Sequence, residues 1–218
     1  MKTSCPSCGA ELNFKSKITA MLVCEYCTSV VVRHDMNLED LGKVGEIQED
    51  MSPLQVGTSG FYGDKKFEII GRQKAAYSDG FWNEWYILFS NFTDGWLAEA
   101  QGFYMVSEEA PKKGNIPSKE SIRVGAGIVI DNKNFVVDDI KNITYIGCEG
   151  ELPQQNLIGS TAVSVDLSDD INNFCNIVYS DNGNVYVYLG KYIEFEDFQF
   201  KSLRELDGWK QLHQTNKR

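Results

Sequence analysis

The chain has 218 residues, of which 42% are apolar and 12% aromatic, enough to fold around a hydrophobic core. Its 31 acidic and 21 basic residues give a net charge of -10, which argues against binding to nucleic-acid phosphates or anionic membrane surfaces. No apolar run approaches the roughly 20 residues of a membrane-spanning helix, and the first residues lack the apolar stretch of a signal peptide. We therefore expect a cytoplasmic protein that is not an integral membrane protein.

Four cysteines near the N-terminus form two C-x2-C pairs, Cys5 with Cys8 and Cys24 with Cys27. Fifteen residues separate the pairs, which is the spacing of a tetrathiolate zinc site. Four thiolates complete a tetrahedral shell and leave no position for a catalytic water, so we expect a structural zinc ion. A redox-active dithiol and an iron site are the alternatives. Gly9 suits the positive φ that often follows such a pair.

We predict four segments along the chain: a zinc ribbon at 1–34, an acidic linker at 35–53, a β domain at 54–209 and a polar tail at 210–218. In the β domain, short alternating apolar runs are punctuated by Gly, Asn and Asp, which is typical of antiparallel sheet. Residues 201–214 form the one predicted helix. Cys148 and Cys175 have no partner nearby in sequence and are predicted to be buried free thiols.

The β domain repeats itself in sequence. VGTSGFYGDKKFEI at 56–69 aligns with VGAGIVIDNKNFVV at 124–137 at an offset of 68 residues. Further matches pair Gly95, Gly102 and Tyr104 with Gly183, Gly190 and Tyr192 at an offset of 88. We therefore predict a mostly β fold in which a duplicated antiparallel β-meander forms a barrel or a sandwich, since both limit exposed strand edges.

Residues 79–99 contain three of the four tryptophans. If Asp94-Gly95 forms a type I′ turn, residue i faces residue 189 - i, and the face that carries Trp85 is core. The opposite face then holds four candidate binding residues, Glu84, Tyr86, Glu99 and Gln101. In that register Glu84 and Glu99 lie about 20 Å apart along the strands, too far for the paired carboxylates of a glycosidase.

Other catalytic arrangements are poorly supported by the sequence. The two histidines, His34 and His213, lie outside the core of the predicted β domain, so a serine or cysteine triad lacks a well-placed base. Gly125-Ala126-Gly127 precedes a predicted strand and lacks the lysine of a phosphate-binding loop. These features do not identify an enzymatic activity, and on balance they argue against one.

Four stretches resemble a bacterial family, the domain of unknown function 4178, over residues 53–209: LQVGTSGFYGDKKFEIIGR, FWNEWYILF, DGWLAEAQGFY and FQFKSLRELDGW. Members of this family often carry an N-terminal zinc ribbon. The resemblance implies a signature made of Trp82, Glu84, Trp85, Asp94, Gly95, Trp96 and Glu99. It implies no established activity or cofactor, but it does imply an accessory role in a membrane-stress or polyamine-related system.

Two hypotheses of different classes follow. In the first, the protein is a non-catalytic interaction or adaptor module, with the ribbon and the β domain each docking on a protein partner. In the second, it is a small-molecule binder or an enzyme that uses Glu84 and Glu99. A pocket that holds both carboxylates would favour the second hypothesis, and carboxylates separated on the sheet would favour the first.

Overall fold

The structure is a computed structural model that describes residues 2–34, 37–43, 47, 50–110, 116–153 and 158–206. Strands dominate these residues, and none of them lies in an α-helix. The prediction of a mostly β fold is confirmed. Within the described ranges, no helix combines the length and the apolar character needed to cross a membrane.

The N-terminal part consists of five short strands, β1 (Lys2–Ser4), β2 (Glu11–Asn13), β3 (Met21–Val23), β4 (Ser29–His34) and β5 (Asn37–Lys43). The remainder of the described chain contains ten strands in two groups of five. The first group is β6 (Ser59–Tyr62), β7 (Lys65–Tyr77), β8 (Gly80–Phe89), β9 (Asp94–Ala100) and β10 (Phe103–Glu109). The second is β11 (Gly127–Ile130), β12 (Lys133–Leu152), β13 (Thr161–Ser168), β14 (Asn173–Ser180) and β15 (Val185–Tyr192), followed by a 3-10 helix at Phe195–Phe198.

Eight of these strands close into an antiparallel barrel. Their order around the wall is β7-β8-β9-β10-β15-β14-β13-β12, and β12 pairs back onto β7 between Thr144↔Ala76 and Gly150↔Gly71. Barrels of eight strands have an interior that side chains can fill or that can hold one small ligand. Of the two predicted architectures, the structure is therefore the barrel.

A glycine allows the two halves of the barrel to approach at one seam. Gly190 of β15 lies opposite Ser107 of β10, where the two halves meet. A Cβ atom at Gly190 would lie only 1.8 Å from the carbonyl oxygen of Val106, a backbone atom that cannot turn aside. Gly190 is therefore required by the close pairing of β10 with β15.

The predicted duplication is visible in the strand order. Hairpin β6–β7 begins at Ser59 and hairpin β11–β12 begins at Gly127, which reproduces the offset of 68. The offset of 88 is wrong, because Gly95 lies inside β9 whereas Gly183 lies in the turn between β14 and β15. The residue that matches Gly183 by position is Gly102, in the turn between β9 and β10.

Three apolar clusters stabilise the barrel, one inside and two outside. The inner cluster includes Tyr86, Ile143 and Tyr145. One outer cluster packs β7, β8 and β9 against Leu54 and Phe198, and it contains the fully buried Trp85. The other covers β12, β13 and β14 with Ile122 and β11, and it contains Cys175. Trp85 is thus a core residue, as predicted, but of an outer core. Cys148 and Cys175 are buried free thiols, as predicted.

The N-terminal segment is attached to the barrel by strand pairing, by apolar packing of β3 and β4 and by one buried carboxylate. Strand β3 pairs with β12 at Leu22↔Glu151 and Met21↔Leu152. The Glu151 carboxylate, only 3% exposed, accepts hydrogen bonds from the backbone N–H of Lys15 at 2.6 Å, that of Ser16 at 3.1 Å and the Thr19 hydroxyl at 2.6 Å. These contacts hold the segment before β3 at one end of the barrel.

The predicted segment boundaries stay predictions, although two observations concern them. Strand β5 at Asn37–Lys43 pairs with β4 and falls inside the predicted acidic linker at 35–53. Residues 201–206 include no helix, while 207–218, with most of the predicted helix and the polar tail at 210–218, lie outside the described residues.

Candidate functional site

The turn between β8 and β9 fixes which side chains enter the barrel. It spans residues 90–93, where the Asn91 side-chain oxygen accepts a hydrogen bond from the Thr93 N–H at 3.1 Å and Phe92 has a φ of 66°. Asp94 and Gly95 belong to β9, so the predicted type I′ turn is wrong. Residue i faces residue 182 - i, as in Glu84↔Ala98. The paired residue numbers add up to 182 instead of the predicted 189, a difference that is odd. Because side chains alternate between the two faces of a strand, β9 therefore presents to the face of Glu84 the side chains that were predicted for the other face.

This register separates the candidate binding residues. Glu84 points into the barrel across from Ala98, whereas Glu99 pairs with Asn83 and points outside. Tyr86 is fully buried inside the barrel, with its ring 5.2 Å from that of Trp96. Gln101 is exposed in the turn between β9 and β10. The prediction that Glu84 and Glu99 share one face is therefore wrong, while a binding role for any of the four residues stays a prediction.

A cavity of about 580 Å³ occupies one end of the barrel interior. Its lining includes Glu84, Gln101 and Phe103, and Phe103 is 65% exposed, so the cavity reaches the surface. The opening lies at the turns that join β7 to β8, β9 to β10 and β13 to β14. We call this space the central cavity. Its volume lies within the range of roughly 300 to 1,000 Å³ found for small-molecule sites.

Glu84 is held firmly inside the central cavity. The indole N–H of Trp82 donates to its Oε1 at 2.9 Å, and the Gln73 amide donates to its Oε2. Burial raises the pKa of Glu84, these two donors oppose the shift, and the negative charge of Asp166 adds to it. The carboxyl group is surrounded by protein yet borders the cavity, so a small molecule could reach it.

A second carboxyl group, that of Asp166 on β13, faces the same cavity. Asn176 donates to its Oδ1 at 2.7 Å and to the Ser164 hydroxyl at 2.8 Å. Burial raises the pKa of Asp166, against the hydrogen bond from Asn176 and the positive charge of Lys141. Asp166 was not among the residues predicted from the sequence. The available signal was the alternation of Ala162, Ser164 and Asp166 with apolar residues, a pattern that also suits a solvent-facing strand.

Tyrosine side chains complete the polar part of the cavity wall. Burial raises the pKa of Tyr145 well above its usual value, and the charge of Glu84 acts in the same direction. Burial and the charge of Asp166 raise the pKa of Tyr192 to about 12. Both phenols therefore stay protonated at neutral pH, where they can donate or accept hydrogen bonds.

Glu99 has a different position and different contacts. On the outside of the barrel, its Oε2 accepts from the Ser52 hydroxyl at 2.6 Å, the Asn83 amide at 3.2 Å and the Trp85 indole at 3.0 Å. The first of these donors belongs to the chain that precedes the barrel. Glu99 thus ties residues around Ser52 to the barrel wall, and it does not line the central cavity.

Charged groups next to Glu99 form a buried ion network. Asp50 contacts the guanidinium of Arg72, the ammonium of Lys74 at 2.9 Å and the guanidinium of Arg204 at 3.6 Å. Burial acts to raise the pKa of Asp50, but the bond from Lys74 and the charge of Arg72 outweigh it and hold this pKa below its usual range. Arg72 also lies 4.6 Å from the centre of the Trp85 ring. The network fixes the chain around Asp50 to the barrel.

The four N-terminal cysteines come together at the turns that join β1 to β2 and β3 to β4. Their sulfur atoms all lie within 4.8 Å of one another, with 3.8 Å between Cys5 and Cys27 and 3.8 Å between Cys8 and Cys24. Gly9 adopts the predicted positive φ, and Thr28 takes the same conformation after the second pair. The four thiols form a cluster that could bind one metal ion.

The comparison with known families adds one match. The family described as "Domain of unknown function (DUF4178)" matches residues 55–195, which begin before β6 and end in the 3-10 helix. No curated protein and no solved structure matches the chain.

Proposed function

Because the chain belongs to the DUF4178 family, which carries no assigned activity, its own geometry has to supply the function, and we propose that the barrel binds a small organic ligand in its central cavity. The observation that carries this proposal is the placement of Glu84 and Asp166 in a cavity of about 580 Å³ that opens at one end of the barrel. Polar groups held inside a largely apolar, concave site are the usual features of a ligand-binding site.

The cost of burying these carboxyl groups supports the same proposal. An uncompensated buried charge is destabilising, and a barrel that served only as a scaffold could fill its interior with apolar side chains. Here Glu84 and Asp166 are each oriented by an amide side chain, Gln73 or Asn176. Such positioning at a cost in stability is expected where side chains must meet a ligand.

A cavity-filling variant tests the proposal. Ala98 lines the central cavity and is the strand partner of Glu84, so the larger side chain in Ala98→Phe should fill the part of the cavity next to Glu84. We expect the full chain to increase the fluorescence of the neutral dye Nile red, or to carry a small molecule in native mass spectrometry, and Ala98→Phe to lose that signal. Asn134→Phe, on the exposed part of β12, is the control. Equal signals from the parent chain and a folded Ala98→Phe variant would exclude the cavity as the binding site.

For the cysteine cluster we infer a structural zinc ion held by Cys5, Cys8, Cys24 and Cys27. A tetrahedral zinc ion with Zn–S bonds of about 2.3 Å separates its sulfur ligands by about 3.8 Å, and two of the sulfur pairs are 3.8 Å apart. A disulfide would require about 2.05 Å. One equivalent of zinc per chain by elemental analysis would support the inference. Iron in the elemental analysis, together with charge-transfer absorption bands, would overturn it in favour of an iron site.

The interaction or adaptor role stays a prediction, which the separation of Glu84 from Glu99 on the sheet favours. The cytoplasmic location also stays a prediction. The cavity supports the small-molecule hypothesis in part, because it contains Glu84 but not Glu99. We therefore place the ligand site on Glu84 and Asp166 and give Glu99 no part in it.

A further inference from the structure

We propose that the ligand of the central cavity is an organic monocation, an amine or quaternary ammonium ion with an aromatic or apolar body. This inference rests on the proposed function and names the chemical class of its ligand. It is argued from the charge of the cavity lining, the arrangement of its carboxyl groups and the aromatic side chains of its wall.

The lining of the central cavity is acidic. Among its described residues it contains three acidic side chains, Glu84, Asp166 and Glu194, and one basic side chain, Lys141. The ammonium of Lys141 already forms an ion pair with Asp139 and lies 5.1 Å from the centre of the Tyr77 ring. The charge balance therefore opposes an anionic ligand and favours a cation.

The two inner carboxyl groups can each accept further hydrogen bonds. Each oxygen of Glu84 accepts one hydrogen bond, Oε1 from Trp82 and Oε2 from Gln73, and Asp166 accepts one from Asn176. A carboxylate has about four acceptor positions, so each group keeps capacity for an ammonium donor. Because Asp166 makes ionisation of Glu84 less favourable, a cation placed near both would relieve their repulsion. With a neutral ligand, only the positive charge of Lys141, which acts on Asp166, would oppose that repulsion.

The wall supplies rings that suit the rest of such a ligand. The aromatic side chains that border the cavity include Tyr77, Phe81, Trp82, Trp96, Tyr145 and Tyr188. Cations bind over the faces of such rings at distances of up to about 6 Å. The ring of Phe81 is already in contact with the Lys74 ammonium, which lies 4.0 Å from its centre and belongs to the Asp50 network outside the barrel, so the other rings are the ones available to a ligand. The combination of several rings and two carboxyl groups matches a cation with an apolar body.

Calorimetric titration of the full chain at pH 7 tests the inference. The cationic probes are 2-phenylethylammonium and benzyltrimethylammonium, and the matched neutral probe is 2-phenylethanol. We expect both cations to bind and the neutral probe to bind at least tenfold more weakly. Glu84→Gln and Asp166→Asn should each weaken cation binding at least tenfold, while Glu108→Gln, outside the barrel next to Lys65, should not change it.

The outcomes separate this inference from the proposed function. Equal affinity for 2-phenylethanol and the cations would overturn the cationic class and leave the cavity as the ligand site. Unchanged cation binding in both folded carboxyl variants would also overturn it, as would no cation binding at millimolar concentration. Loss of cation binding in Ala98→Phe would support both proposals together. A native fold for each variant, checked by circular dichroism, is required for these comparisons.

Discussion

Glu84 and Glu99 lie on neighbouring paired strands but on opposite sides of the barrel wall, because Glu84 faces Ala98 and Glu99 faces Asn83. Their surroundings differ accordingly. Glu84 borders the central cavity, whereas Glu99 accepts hydrogen bonds from Ser52, Asn83, Trp85 and Tyr104 next to the chain that leads into the barrel. Two carboxylates that look equivalent in the sequence therefore have separable roles, and single substitutions should distinguish them.

Replacing Glu99 by alanine should lower the stability of the fold. The change removes the acceptor of the Ser52 hydroxyl, the Trp85 indole and the Tyr104 hydroxyl, while the Asn83 amide keeps only its bond to Asp50. Each unsatisfied buried donor costs about 1 to 3 kcal/mol, and water should reach some of them, so we expect a loss of about 2 to 4 kcal/mol in the free energy of unfolding. Urea denaturation measures this loss.

The control for that prediction is Glu108→Ala on the next strand. Glu108 forms an ion pair with Lys65 at 2.9 Å, and both side chains are about 40% exposed. Exposed pairs contribute about 0 to 1 kcal/mol, so this variant should unfold at nearly the parent urea concentration. If Glu99→Ala is no less stable than Glu108→Ala, the hydrogen bonds of Glu99 do not hold the preceding chain.

Replacing Glu84 by glutamine should change how stability depends on pH. Burial raises the pKa of Glu84 in the folded chain, so the unfolded chain releases this proton at a lower pH than the folded chain does. The parent protein therefore loses stability as pH rises above about 4.3, the ordinary pKa of a glutamic acid, until the raised folded pKa is passed. Glutamine has no such titration, so Glu84→Gln should gain stability relative to the parent over that pH range.

Thermal unfolding of both proteins between pH 4 and pH 8 measures the difference. At the acidic end the parent carboxyl group is mostly protonated in both states, so the contribution of its titration is smallest there. A difference between the two melting temperatures that stays constant across the range would contradict the raised pKa. The measurement needs no ligand, so it is independent of the proposed function.

The sequence predicted the local features of the fold better than the closure of the barrel. The cysteine spacing, the all-β character and the hairpin repeat at an offset of 68 are local patterns, and the structure has all three. Closure depends on pairs that are distant in the chain, such as Tyr145↔Ala75 and Val106↔Lys191. Strand patterns alone do not specify partners, so barrel and sandwich could not be separated.

The candidate site was predicted wrongly because one turn was placed at the wrong residues. Asp94-Gly95 has the composition of a tight hairpin turn, but Asn91 caps a four-residue turn just before it. Because side chains alternate along a strand, the resulting change of pairing by an odd number moved Glu99 to the outer face. Asp166 could not be recognised because a polar face that lines a cavity and one that meets solvent have the same alternation. Only the closed barrel shows that Glu84 and Asp166 both face the same interior cavity.

Metal removal should expose four thiols and leave two protected. Loss of the zinc ion that we infer between Cys5, Cys8, Cys24 and Cys27 should open the turns that bury Cys5 and Cys24, whereas Cys148 and Cys175 are buried in the barrel clusters. A thiol reagent added with a strong chelator should therefore modify four cysteines rapidly and the other two only in denaturant. Six rapidly reacting thiols would instead mean that the barrel itself depends on the metal.

Removing the Glu151 carboxylate should release the N-terminal segment from the barrel. Glu151→Ala takes away the acceptor for the N–H groups of Lys15 and Ser16 and the hydroxyl of Thr19. Because all three donors belong to the segment just before β3, we expect trypsin to cleave after Lys15 or Lys17 faster than in the parent chain, with the metal content unchanged. Glu149→Ala, two residues away on β12, is the matched control, since the Glu149 side chain is 41% exposed and lies 3.7 Å from Arg72 of the barrel. Equal cleavage rates in both variants would show that the pairing of β3 with β12 and the apolar packing of β3 and β4 against the barrel secure the segment without Glu151.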